Sequence, residues 1–156
     1  MKTAVVYYTR FGHTTVIAEE IGRVLDAEVR QVDTPKHKHS YPWMGFASSM
    51  NVRMKLKPAD LDFSGFDLLV LCTPIWAWKP APPGREVLRE GKLPSKLAVC
   101  FSKAGSPTQR AQEKVRQMLE DREVEVVAFG EIVTDKVSDN DLRREARLFA
   151  ERLKGS

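Results

Sequence analysis

Only two cysteines, three histidines, three tryptophans and three tyrosines occur in 156 residues, and each shortage removes a class of chemistry. Cys72 and Cys100 form no Cys-x-x-Cys pair, so neither a zinc ribbon nor a dithiol redox centre is expected. Each cysteine ends an apolar run, the usual place of a small buried hydrophobe rather than a nucleophile. His37 and His39 make a His-x-His with no nearby cysteine or carboxylate to complete it, which leaves a solvated loop and no metal site. Long apolar runs are missing as well, none approaching the roughly 20 residues of a membrane span. The short run after Lys2 stops at Thr9 and Arg10, too early for a secretory leader, so the expected location is cytoplasmic. An excess of one charge sign is also lacking. The formal charge is +4, but basic and acidic residues interleave along the chain, which favours anionic partners in general and gives no nucleic-acid signature. At 42% hydrophobic and 29% charged, residues 1–156 read as one globular domain that buries about two-thirds of its unfolded surface. No internal repeat or low-complexity segment interrupts it.

What is present centres on Thr9 to Thr15, Thr-Arg-Phe-Gly-His-Thr-Thr. Before it, Lys2 to Tyr8 is rich in β-branched and aromatic residues and suits a buried parallel strand. After it, Val16, Ile17, Ile21, Val24 and Leu25 recur at helical spacing, with Glu19, Glu20 and Arg23 between them. A strand that turns through glycine into a helix leaves several amide N–H groups aimed outward at the positive end of the helix dipole, where a phosphate is stabilised. Thr9, Thr14 and Thr15 add hydroxyl donors, and Gly12 removes the Cβ that would hold a ligand off. An ordinary turn capped by Thr14 is the plainer reading of the same residues. His13 lies in this loop with no partner that would make it a general base.

Further along, Glu28 to Val32 reads as a second strand. Residues 34–58 are irregular and basic at first, and their later part is expected as a helix, with Phe46, Met50 and Met54 four apart. Phe66 to Cys72 is almost continuously apolar and belongs at the centre of a sheet. It enters Thr73-Pro74-Ile75-Trp76-Ala77-Trp78-Lys79-Pro80, expected as a proline-bounded loop, with a helix from about Pro82 to Arg89. Its two tryptophans either cover the core or offer a face to a planar ligand. Leu97 to Phe101 is the fourth strand and leads into the polar loop Ser102 to Pro107, after which a helix places Ala111, Val115, Met118 and Leu119 on one side. Val124 to Val133 is the fifth, with Gly130 expected as a bulge. The last helix starts at Ser138 or Asp139 and aligns Leu142, Ala146, Phe149, Ala150 and Leu153.

Five strands alternating with helices predict an open parallel α/β sheet covered on both faces. Ligands of such sheets bind beyond the carboxyl ends of the strands. Three loops meet at that rim: Thr9 to Thr15, Thr73 to Lys79 and Ser102 to Gly105. The first suits a phosphate and the second a flat ring. Acidic residues after the first strand, which a signalling receiver domain needs, are replaced by Tyr7-Tyr8-Thr9, and the first loop has no cysteine for a Cys-x5-Arg phosphatase.

These blocks resemble the flavodoxin family. Its Ser/Thr-x-Thr-Gly-x-Thr phosphate loop is similar to Thr9-Arg10-Phe11-Gly12-His13-Thr14, and its third strand and flavin loop are similar to Phe66 to Pro83. The resemblance implies a flavodoxin-like three-layer sandwich, with a five-stranded parallel sheet in the order 2-1-3-4-5 and helices on both faces. It implies FMN as cofactor, its phosphate wrapped by Thr9, Arg10, Phe11, Gly12, His13 and Thr14. The ring would then be flanked by Thr73, Pro74, Ile75, Trp76, Ala77 and Trp78 and by Ser102, Lys103, Ala104 and Gly105. The implied role is electron transfer between a reductase and a protein acceptor; the alternative is an FMN-dependent NAD(P)H:quinone-type oxidoreductase. No residue of the chain is assigned a catalytic role. Three departures set this chain apart: Phe11 stands where the family carries a hydroxyl, Ile75 to Lys79 lacks the glycine whose peptide bonds the reduced ring, and the charge is basic. Lys79 and Lys103 in the ring loops are expected to favour the reduced, anionic ring. A cation about 7 Å away at an effective dielectric of about 20 contributes on the order of 2 kcal/mol before screening.

Overall fold

Val5, Val6, Leu68 to Cys72 and Leu97 to Phe101 offer no polar face, so strands built from them need cover on both sides. The computed structural model, which describes residues 1–9, 12–32, 61–105 and 107–155, provides it. In chain order the elements are β1 (Thr3–Tyr7), α1 (His13–Leu25), β2 (Glu28–Gln31), β3 (Leu68–Trp76) and β4 (Lys79–Pro80). They are followed by α2 (Pro82–Glu90), β5 (Lys96–Lys103), α3 (Gln109–Met118), β6 (Glu125–Val133) and α4 (Asp139–Lys154). The sheet order is β2-β1-β3-β5-β6, all parallel, with the two-residue β4 pairing antiparallel to the end of β3. Leaving β4 aside, this is the expected 2-1-3-4-5. Arg10, Phe11 and the helical pattern around Phe46, Met50 and Met54 lie outside the described residues.

Alternation along the strands divides the interior in two. Val5, Tyr7, Val70, Cys72, Ala98 and Cys100 point to one face and pack under α1 and α4. Ala4, Val6, Leu69, Leu71, Val99 and Phe101 point to the other and, with Phe63, pack under α2 and α3. The stripe Leu142, Ala146, Phe149, Ala150 and Leu153 of α4 is buried throughout, as its spacing predicts. Ser138 caps that helix in a reciprocal capping box with Asp141. The carboxyl end of α2 is closed from a distance, because the Arg122 guanidinium donates to the carbonyls of Leu88 and Gly91.

Three local expectations are corrected. Thr73 to Pro80 is not a loop: β3 runs on to Trp76, turns through Ala77 and Trp78, and returns as β4, pairing Trp76 with Lys79 and Ile75 with Pro80. Ala77 and Trp78 both take positive φ, 51° and 62°, in a turn whose usual Asn-Gly signature is absent, so the hairpin left no local signal. Ser102 and Lys103 belong to β5, where Ser102 lies opposite Pro74, and the loop starts only at Ala104. Gly130 is not a bulge. It pairs regularly with Cys100, and the register shift falls at Leu97/Ala98. Glycine is required at 130 because a Cβ there would stand 2.5 Å from the Phe149 ring.

Candidate functional site

The carboxyl ends of β1, β3 and β5 form one rim, since Tyr7 pairs with Cys72 and Pro74 with Ser102. At the β1 end the chain turns into α1 through Gly12, whose φ of 91° is left-handed and whose N–H donates to the Thr9 hydroxyl at 2.9 Å. The first helical bond is Val16 N–H to Gly12 C=O at 3.4 Å. The amides of His13, Thr14 and Thr15 therefore precede the first helical donor, Val16 N–H, and have no acceptor within the helix. Among the described residues nothing beyond the chain neighbours lies within 4 Å of where a Gly12 Cβ would be, so on their side this corner is open and lined by donors. Thr14 does not cap α1; Gly12 holds the cap position without a side-chain bond. The Thr14 side chain, 2% exposed, instead shares a hydrogen bond of 2.9 Å with the Ser102 hydroxyl. The first turn of α1 and the end of β5 are thus joined directly.

The middle loop divides. Trp76 stands edge-on to Tyr8 with ring centroids 5.8 Å apart, and with Ala81 the two form a small cluster beside the β1 turn. Trp78 turns the other way, 51% exposed, with the Arg110 guanidinium of α3 over its ring at 5.5 Å. The two indoles do not make one wall. Thr73 is fully buried beneath α2, and a Cβ on Gly84 would sit 2.6 Å from its hydroxyl. Pro74 accepts from the Ala81 N–H through its carbonyl at 2.9 Å. In the third loop Ala104 and Gly105 are exposed.

Neither lysine expected at the ring is a bare cation there. Lys103 pairs with Glu131 at 3.4 Å. The Thr108 hydroxyl donates to Glu131 and, with Lys103, holds its carboxyl below the usual range against the cost of burial. Lys79 faces α3; burial lowers its pKa most, and the neighbouring Arg85, Lys114 and Arg110 lower it further. Four residues of this region escape sequence reasoning: Tyr8, Gly84, Arg110 and Glu131. Tyr8 could have been found as the last aromatic of the first run, whereas the other three carry no local mark.

No protein-family profile matches the chain, and no curated protein matches it in sequence. Solved structures do match over nearly its full length. A flavoprotein from Lactobacillus acidophilus NCFM, crystallised in complex with FMN, superposes with a TM-score of 0.67 at 18% identity, covering 93% of this chain and 98% of that one. Oxidised flavodoxin 2 from Bacillus cereus gives 0.63 at 18%, covering 99% of both chains. A Streptococcus pneumonia TIGR4 flavodoxin gives 0.61 at 14%, again covering 99% of both. The fold is flavodoxin-like. In this flavodoxin-like frame Gly12, Thr14 and the Ser102 end of β5 lie at the carboxyl edge of the sheet, where the order of strands reverses between β1 and β3. Among the described residues no cluster of histidine, cysteine and carboxylate could hold a metal, and no helix is long and apolar enough to cross a membrane.

Proposed function

We propose that the protein binds FMN at the rim of β1, β3 and β5 and transfers electrons between a reductase and a protein acceptor. The observation that carries the reading is the open corner at Gly12. A left-handed glycine, the unbonded start of α1 and the Thr9 hydroxyl meet there, an arrangement that suits a phosphate ester. Thr9, Gly12, His13, Thr14 and Thr15 would hold that phosphate, with Arg10 and Phe11 in the same loop. Tyr8, Thr73 to Trp76 and Ser102 to Gly105 would border the ring. When bound, FMN supplies the one- or two-electron chemistry. The chain's own part is to hold and orient. The Thr14–Ser102 bond fixes the phosphate turn against β5, and Gly84 lets α2 close down on Thr73. The Glu131 carboxylate offsets the Lys103 charge near the third loop.

The test is an absorbance titration of the purified chain with FMN, which should give flavin bands shifted from those of free FMN and a one-to-one end point. Gly12→Val should weaken binding at least tenfold, since φ 91° is disfavoured for a β-branched residue. A chain that leaves the FMN spectrum unchanged overturns the proposal. Steady oxidation of NADPH by the loaded protein alone, with a quinone as acceptor, would replace the carrier with the reductase reading.

A further inference from the structure

Beside the candidate site, and outside it, a groove of about 370 Å³ runs between the Ala77–Trp78 turn and α3. Trp78, Lys79, Arg110, Glu113, Lys114 and Gln117 line it. The four α3 residues follow the spacing i, i+3, i+4, i+7, so they form one stripe of the helix. Ala111 and Val115, on its other side, are buried in the core. The lining carries three cations against the single carboxylate of Glu113. Behind it stand Arg85, 1% exposed, and Arg89, whose guanidinium is paired with Glu86. Burial lowers the pKa of both Lys79 and Lys114, and repulsion adds to it: Arg85, Lys114 and Arg110 act on Lys79, and Arg85 and Arg89 act on Lys114. Positive charge has therefore been gathered at one place.

We propose that this groove is a docking surface for an acidic protein, which on the electron-transfer reading above is the redox partner. Three observations select that occupant. Carboxylates brought between Lys79, Arg110 and Lys114 relieve a repulsion the free protein carries. An exposed tryptophan overlain by an arginine supplies the side chains that anchor protein interfaces. The groove is half-open and at the small end for a metabolite pocket, which suits the edge of a larger contact. The placement also has a use. Trp78 belongs to the two-residue turn that follows Trp76, so a partner seated on Trp78 is a hairpin's width from the Tyr8–Trp76 cluster.

The experiment uses the full chain and, as probe, a strongly acidic [2Fe–2S] ferredoxin carrying a dye, with binding followed by anisotropy at low and physiological salt. Arg110→Glu with Lys114→Glu should slow association about tenfold or more and flatten its salt dependence, the range over which steering operates. Arg143→Glu with Lys154→Glu on α4 makes the same change in net charge away from the groove and should alter the rate less than about threefold. Trp78→Ala should weaken binding while leaving the salt slope unchanged. Equal losses from the two double variants, or no loss from the first, overturn the proposal. Binding is read without flavin, so a failure of FMN to bind would leave this result standing on its own.

Discussion

Thr14 and Ser102 are 88 residues apart in sequence and share one buried hydrogen bond. A hydroxyl left without its partner in such a place costs about 1–3 kcal/mol, whereas removing both hydroxyls is close to neutral. Thr14→Val and Ser102→Ala should therefore each destabilise by about 1–3 kcal/mol, and the double variant by clearly less than their sum. Urea denaturation of the four proteins measures this, and additive losses would disconnect the two residues. The threonine stood out in the sequence at a strand-to-helix turn, but its bond to Ser102 did not. Nothing local tells a helix-start hydroxyl to ignore its own backbone and reach a distant strand. Gly84 makes the same point. It reads as a routine glycine after two prolines, and only the fold shows that a Cβ would meet the Thr73 hydroxyl at 2.6 Å. Gly84→Ala should cost about 1–3 kcal/mol by overpacking and lift α2 from the third strand. FMN affinity would fall with it in the titration described above.

At the scale of elements, the β3–β4 hairpin and the contact of α1 with α4 behave differently. The hairpin holds two non-glycine residues at left-handed φ, a conformation that costs roughly 1–2 kcal/mol per residue. Ala77→Asn places there a residue that tolerates this geometry and should raise stability by about 0.5–1 kcal/mol in urea denaturation. No gain would mean that the turn is held without strain. Strong apolar runs made four of the five parallel strands readable, whereas β2, Glu-Val-Arg-Gln and largely exposed, offered only Val29 and the following Val32. The hairpin was hidden because its turn residues, Ala77 and Trp78, oppose their own preferences. Between α1 and α4, Glu20 receives the Arg23 guanidinium and, across the two helices, that of Arg147. The Arg23 hydrogen bond is the largest influence on its carboxyl and, with Arg147, holds it below its ordinary value of 4.5 against the opposing cost of burial. The folded value is the lower one, so below about 4.5 the unfolded chain binds more protons. This stabilisation is complete above that pH and is lost as the pH falls through the folded value. Arg147→Ala should therefore lose less stability between pH 7 and pH 3 than the parent, a difference read from urea midpoints at the two pH values.

For the whole molecule, one sheet separates two apolar layers, and the strand edge common to both carries the candidate site. That architecture was visible early, because alternating runs of strand and helix permit few windings. The division of labour around the site was not, since it depends on which way Trp76 and Trp78 point. Cys72 and Cys100 are neighbours on adjacent strands, both buried, and the Cys72 thiol is pushed well up by its hydrogen bond to Cys100 and by burial. No alkylating reagent can meet either sulfur until the centre of the sheet parts. The slow uptake of iodoacetamide under native conditions would thus clock the rarest and largest opening of the molecule, without any denaturant.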